Sequence, residues 1–168
     1  MEIKLAKKND IEELNVLFKD VIKDLKEVKK IDMLWGDVYP FCEFETDIAN
    51  NEMYIIKKDN KLIGSFVLSN FDDPDYKEID WDTNLKKFIY LNRLVISPKE
   101  QGKGYAKKVM TYIDEYAQNN NLDSIRLTVY EKNINAIRLY EKNGFKRIQK
   151  GNWQLEDRIF IGFEKKMK

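Results

Sequence analysis

Residues 88–106 read Phe-Ile-Tyr-Leu-Asn-Arg-Leu-Val-Ile-Ser-Pro-Lys-Glu-Gln-Gly-Lys-Gly-Tyr-Ala. Lys87–Ile96 is long, largely apolar and poorly alternating, the pattern of a central strand buried on both faces. Pro98 ends it, and Gly102-Lys103-Gly104 opens a helix whose Ala106, Val109, Met110, Ile113 and Ala117 share one face. Glycines between a strand and a helix adopt φ > 0 and let the backbone approach a ligand closely. The N–H groups of the first helical turn lie at the positive end of the macrodipole, a ready place for phosphate. Lys103, Lys107 and Lys108 add positive charge beside it. No Gly-Lys-Ser/Thr follows at Walker spacing, and the third glycine and acidic partner of a dinucleotide fingerprint are missing.

Downstream, Ser124–Val129 reads as a strand with Ile125, Leu127 and Val129 on one side. Asn133 caps a second helix, which stops at Asn143-Gly144, where glycine suits a left-handed C′ residue. Phe145–Lys150 and Arg158–Phe163 read as closing strands. Upstream, residues 2–7 alternate as a short strand, and Asn9 or Asp10 caps a helix. The apolar face of that helix runs Ile11, Leu14, Leu17, Phe18, Val21, Ile22, Leu25 and Val28. Residues 31–51 form a compact loop around Gly36 and Pro40, with a short helix near Glu43–Asn50. Met53–Lys57 and Leu62–Ser69 form a hairpin across Lys58-Asp59-Asn60-Lys61. Asn70–Asn84, aspartate-rich and carrying Pro74, is an exposed loop of the length that is often functional. The order β-α-β-β-β-α-β-α-β-β, without repeat or linker, predicts one mixed α/β domain over residues 1–168.

The chain has 168 residues, 30 basic, 29 acidic, one cysteine and no histidine. That length buries roughly 70% of the unfolded surface, enough to fold without disulfide or metal. Absent histidine excludes Ser-His-Asp and Cys-His triads, His-ligated zinc and any imidazole base. Cys42 alone forms neither a disulfide nor a Cys-rich metal site. A net charge of +1 argues against nucleic-acid binding. No apolar run reaches bilayer length and the start lacks a secretory h-region, so no membrane partner and a cytoplasmic location are expected.

Residues 88–106 resemble the acyl-CoA-binding segment of the GCN5-related N-acetyltransferase (GNAT) superfamily, a strand, a proline turn and Gln/Arg-x-x-Gly-x-Gly/Ala. Gln101, Gly104 and Ala106 fill its three defined positions. Asn133-Ile134-Asn135-Ala136-Ile137-Arg138-Leu139-Tyr140-Glu141-Lys142-Asn143-Gly144-Phe145 is similar to the family's Asn-x-x-Ala-x-x-Leu-Tyr-x-x-x-Gly-Phe stretch. The resemblance covers roughly residues 53–150. It implies a GNAT fold, a mostly antiparallel twisted sheet of about seven strands flanked by helices. It also implies a transferase (an acyltransferase) moving an acetyl group from acetyl-CoA to a primary amine without a metal. Direct attack in a ternary complex is expected, because Cys42 lies outside both motifs. The alternative is a non-catalytic acyl-CoA-binding sensor on the same fold.

By the same resemblance, the backbone of Leu94, Val95 and Ile96 would pair with the pantetheine arm. Gln101, Gly102, Lys103, Gly104, Tyr105, Ala106 and Lys107 would hold the pyrophosphate. Asn133 would contact the pantetheine, with Asn135 as the rival for that role, and Tyr140 would protonate the departing thiolate. A phenol carries a proton to give at neutral pH. The amine must itself lose a proton before attack, since its pKa lies near 10. Relatives place a glutamate or a histidine for this; here the strand position holds Tyr90 and histidine is absent. Glu45, Glu78, Asp80 or Asp82 acting through water, or bulk solvent, remain as the proton's destination. Trp35, Tyr39, Phe41, Tyr54, Asp80, Trp81 and Tyr90 are candidates for the acceptor side, because aromatic walls and carboxylates suit a cation. The acceptor is expected to be a small-molecule or protein amine, and the protein a monomer or homodimer.

Overall fold

A computed structural model describes residues 1–167. The chain forms two compact units, one from Met1–Leu68 with Asn92–Tyr105, the other from Ser69–Leu91 with Ala106 onward. Among the described residues there are four α-helices and eight strands, a mixed α/β architecture.

In the first unit, β1 (Glu2–Leu5) lies antiparallel to β2 (Met53–Lys58), and β2 to β3 (Lys61–Ser69). The C-terminal half of β4 (Phe88–Ile96) completes the order β1-β2-β3-β4. The hairpin forms because Asp59 and Asn60 both accept φ > 0, at 49° and 63°, the turn that matches strand twist. Gly64 on β3 permits close approach: a Cβ there would stand 2.7 Å from the Val95 carbonyl oxygen of β4.

One face of α1 (Ile11–Lys23) supplies Leu14, Leu17, Phe18 and Val21 to the core, where they meet Trp35, Phe44, Met53, Ile55, Val67 and Val95. Each such large apolar side chain contributes about 1.5–3 kcal/mol by leaving water. The expected apolar stripe fails at Val28, which is 72% exposed. After Lys23 the chain winds a π turn over Asp24–Val28, with Lys29 N–H donating to the Asp24 carbonyl at 3.0 Å. The wider turn breaks the 3.6-residue period that placed Val28 inward.

In the second unit, the N-terminal half of β4 pairs parallel with β5 (Ser124–Tyr130) over Phe88–Tyr90. A parallel pair needs a crossover, and α3 (Tyr105–Asn119) supplies it. β5 then pairs antiparallel along its whole length with β8 (Arg158–Lys166), which also pairs with β6 (Lys146–Arg147) and β7 (Trp153–Leu155). Helix α4 (Ile134–Lys142) precedes β6. Ile125 and Leu127 of β5, Phe163 of β8 and Ile113 of α3 are buried.

The closing strand expected over Phe145–Lys150 shortens to β6, and β7 was not foreseen. Residues Glu78–Asp80 dock against Lys150–Gly151 instead: Asp80 N–H donates to the Lys150 carbonyl at 3.1 Å. At Gly151, φ +77°, a Cβ would stand 1.6 Å from the Glu78 carbonyl oxygen, so only glycine permits the contact. No helix among the described residues is long and apolar enough to cross a membrane.

Candidate active site

The first unit carries the strand end and the glycine turn. Val95 and Ile96 are buried and Leu94 half-buried. Their backbone departs from regular strand geometry at Arg93, where φ is +48°. Ser97 N–H donates to the Ile63 carbonyl at 2.8 Å, and the chain then winds one 3₁₀ turn over Pro98–Glu100. Gln101 ties the turn down: its Nε2 donates to the Ile96 carbonyl at 2.9 Å and its Oε1 accepts from Lys29 Nζ at 2.7 Å. The Ile96 carbonyl is therefore engaged by protein.

Gly102 and Gly104 have φ of +76° and +81°, and nothing lies within 4 Å of either Cβ position. The N–H groups of Gly102, Lys103 and Gly104 donate to no backbone acceptor among the described residues. Like the unpaired donors of the first turn of a helix, they are N–H groups available to an anion. Lys103 Nζ lies 3.1 Å from Glu100. Lys58 Nζ stands 5.5 Å over the Tyr105 ring, and a hydrogen bond to Tyr105 is the first cause that raises its pKa.

The second unit carries Ala106 and Lys107 on α3, and α4 with Asn133 and Tyr140. Asn133 Oδ1 accepts from Ala136 N–H at 3.3 Å, so this residue does cap its helix. Asn135 is exposed. Tyr140 is 9% exposed, its ring edge-on to Phe145 at 5.7 Å. Burial pushes its phenol up to about 12. Its hydroxyl donates to no described residue, leaving a buried proton donor uncommitted.

The acceptor candidates divide. In the first unit, Trp35 packs into the core against Phe18 at 5.8 Å, and Tyr54 is buried in a stack on Phe66 at 5.0 Å. Tyr39 is 40% exposed, and its hydroxyl accepts from Arg93 Nη1 at 3.3 Å. In the second unit, Trp81 and Tyr90 are brought together, ring centroids 5.9 Å apart, while Asp80 is exposed. Tyr90 is completely buried, and its hydroxyl donates to Asp72 Oδ1 at 3.0 Å. Of the carboxylates weighed as proton acceptors, Glu45 and Glu78 are exposed, and Asp82 is paired with Lys166 at 2.7 Å. That hydrogen bond is the main cause holding the Asp82 carboxyl below its ordinary range.

Sequence reasoning missed the polar pairs. Asp47 and Arg93 form a buried ion pair at 2.5 Å, 46 residues apart. Burial pushes the Asp47 carboxyl up, against the pull of Arg93. One signal existed: Asp47 falls between Phe44 and Ile48 on the buried face of α2 (Phe44–Ala49), where an aspartate needs a partner. Arg126 and Glu164, both buried, pair at 2.7 Å in the second unit. No cluster of three or more His, Cys, Asp or Glu suited to a metal occurs among the described residues.

The sequence model of the acetyltransferase (GNAT) family matches residues 18–145. The chain belongs to the GNAT family. A spermine/spermidine N(1)-acetyltransferase from Bacillus subtilis is 37% identical over 73 residues, covering 43% of this chain and 45% of that protein. The chain thus spans under half the length of the curated relatives it matches. A GNAT-family acetyltransferase from Streptococcus agalactiae shares the fold at a TM-score of 0.84 and 20% identity, covering 99% of this chain and 95% of the other. A second, from Listeria monocytogenes, reaches 0.74 at 22% identity over 98% and 94% of the two chains. At these identities the GNAT neighbours establish the architecture alone.

The open glycine turn fits a diphosphate, since its donors are unspent and its surroundings are clear. Gly104→Val is expected to weaken CoA binding about tenfold, because a branched side chain at φ > 0 costs about 1–2 kcal/mol and turning the peptide misdirects its N–H. Calorimetric titration with CoA checks this; unchanged affinity would remove the turn from the site.

Proposed function

We propose that residues 1–168 form one N-acetyltransferase domain, transferring an acetyl group from acetyl-CoA to a primary amine on a cationic, polyamine-like acceptor. The observation that carries the reading is the set of unspent N–H donors at the Gly102–Gly104 turn. In the other unit, taken by itself, the uncommitted Tyr140 hydroxyl supports it. Acetyl-CoA supplies the activated acetyl thioester. The N–H groups of Gly102, Lys103 and Gly104, with the first turn of α3, would hold its diphosphate. In the first unit, the backbone of Leu94 and Val95 would receive the pantetheine. Tyr140 Oη holds a proton throughout the neutral range and would give it to the sulfur that departs.

The acceptor class has two supports. The Bacillus subtilis relative is named for spermine and spermidine. In the second unit a groove of about 610 Å³ is lined by Asp75, Lys77, Glu78, Asn152, Trp153 and Gln154. Two carboxylates and an indole face suit an ammonium-bearing chain, by charge pairing and cation–π attraction. Cys42 is a poor competitor as nucleophile: partial desolvation and the Glu43 carboxylate, 3.5 Å from its Sγ, push the thiol up. Direct attack by the amine follows.

A thiol-release assay with a monoamine, a diamine, a triamine, an amino acid and a lysine peptide tests this. Turnover is expected on the amines, with kcat/KM rising about three- to tenfold from monoamine to triamine. CoA binding without turnover on any amine, and no effect of altering Tyr140, would favour a non-catalytic acyl-CoA sensor.

A further inference from the structure

Attack on an acyl group requires an amine lone pair, and at pH 7 an alkylamine is almost wholly ammonium. With no histidine in the chain, a carboxylate is the side chain best suited to take that proton. Most carboxylates with fixed geometry are spent on cations: Asp47 on Arg93, Glu164 on Arg126, Asp82 on Lys166 and Asp114 on Lys165. A carboxylate so paired has its oxygens engaged by a cation, and protonating it would break the pair.

Asp72 differs. It is exposed, on the loop after β3, and no described cation pairs with it. The hydrogen bond that orients it comes from a neutral donor, Tyr90 Oη at 3.0 Å. Tyr90 is a rigid mount for that bond. It is completely buried in β4, and its ring is enclosed by Tyr76 at 5.3 Å, Phe88 at 5.6 Å and Trp81 at 5.9 Å. The charged groups that face its hydroxyl are Asp72 and, from β5, Arg126. Burial first, and then the Asp72 charge, hold the phenol far above its ordinary range, so it stays a donor and Asp72 stays the acceptor. One Asp72 oxygen is thereby held, on a residue that is exposed. Beside it, Phe71 is 66% exposed, with its N–H tied to Ser69 Oγ at 3.1 Å. A large aromatic surface held next to an oriented carboxylate is a pairing suited to an alkylammonium.

We propose that Asp72, aimed by the buried hydroxyl of Tyr90, is the carboxylate that receives the acceptor amine's proton. The inference rests on the acetyltransferase reading above. The ammonium gives one proton to the Asp72 carboxylate, leaving a neutral amine with its lone pair and a carboxylic acid. That acid is exposed and passes the proton to water, which restores the carboxylate. Asp72 is the catalytic residue of this step and Tyr90 its positioning residue.

The test measures kcat/KM for an alkyl polyamine between pH 6.5 and pH 10, for the wild type, Asp72→Asn and Tyr90→Phe. Asp72→Asn is expected to lose about 10²-fold at pH 7, with the gap closing as the pH approaches about 10 and the amine sheds its own proton. Tyr90→Phe keeps the ring, frees the carboxylate to wander, and is expected to lose about tenfold with the same pH shape. Calorimetry without acetyl donor should show Asp72→Asn binding the polyamine about threefold more weakly, with CoA affinity unchanged in both variants. A loss that is equal at every pH, or no loss in either variant, overturns the inference while leaving the acetyltransferase reading in place. A wild type that turns over no amine overturns both.

Discussion

Tyr140→Phe is expected to lower kcat by about 10²-fold at neutral pH, while CoA binds as tightly as before. The substitution removes one oxygen and keeps the ring that packs edge-on against Phe145, so the fold has little reason to change. What disappears is a proton donor that no described residue has claimed. Burial alone pushes this phenol up to about 12, which has two consequences of known sign. The hydroxyl remains protonated through the working range, so Tyr140 contributes no alkaline fall in rate below about pH 11. The unfolded phenol, by contrast, ionises near 10. Stability contributed by the buried neutral form is therefore complete below pH 10 and is lost as the pH rises from 10 toward 12. Thiol release followed by absorbance, with calorimetry for CoA, separates chemistry from binding. An unchanged kcat would show that solvent protonates the leaving group and that Tyr140 serves packing alone.

The parts of this molecule that sequence discloses are those written in local rules. The Gly102–Gly104 turn, the Asn133 cap and the Gly144 stop each depend on one or two residues whose conformational preferences are strong. The hairpin at Asp59-Asn60 is of the same kind. Periodicity served until the backbone changed its own period, as at the π turn that throws Val28 outward. The shortened β6 lay beyond any local signal, because Gly151 is required by a backbone 73 residues earlier in the chain, at Glu78. Polar partners suffer similarly. Asp72 and Tyr90 are 18 residues apart and Asp47 and Arg93 are 46, and nothing local pairs them. Aromatic residues were legible as a class but not by role. Trp35 and Tyr54 are core and Tyr39 lies at the surface, a division that composition does not carry.

Arg126→Met is expected to lower the melting temperature by roughly 6–20 °C, the equivalent of about 3–5 kcal/mol for breaking a buried pair in a chain of this size. Arg126 and Glu164 are only 4% and 5% exposed. Glu164 Oε1 accepts from Arg126 Nε at 2.7 Å and from Ser124 Oγ at 3.0 Å, so removal of the guanidinium leaves a buried carboxylate with its cation gone. The guanidinium also donates to the carbonyls of Asp82 at 3.1 Å and Leu85 at 3.4 Å, and its carbon lies 3.9 Å from the Phe88 ring centroid and 5.2 Å from that of Trp81. One side chain thus closes the end of the aspartate-rich loop against β5 and completes the ring cluster around Tyr90. Two mechanisms predict different rescues. If the uncompensated charge dominates, Arg126→Met combined with Glu164→Gln should recover most of the lost stability, because the remaining amide is neutral and still meets Ser124. If the loop clamp dominates, the double variant stays as unstable as the single one, and amide exchange of residues 82–86 accelerates in both. The charge term should be the larger, since the desolvation cost falls on an ion whereas the two carbonyl bonds are worth about 1–3 kcal/mol together. Thermal unfolding of the three proteins decides it, and a single variant that melts with the wild type would mean that the pair holds neither the charge nor the loop.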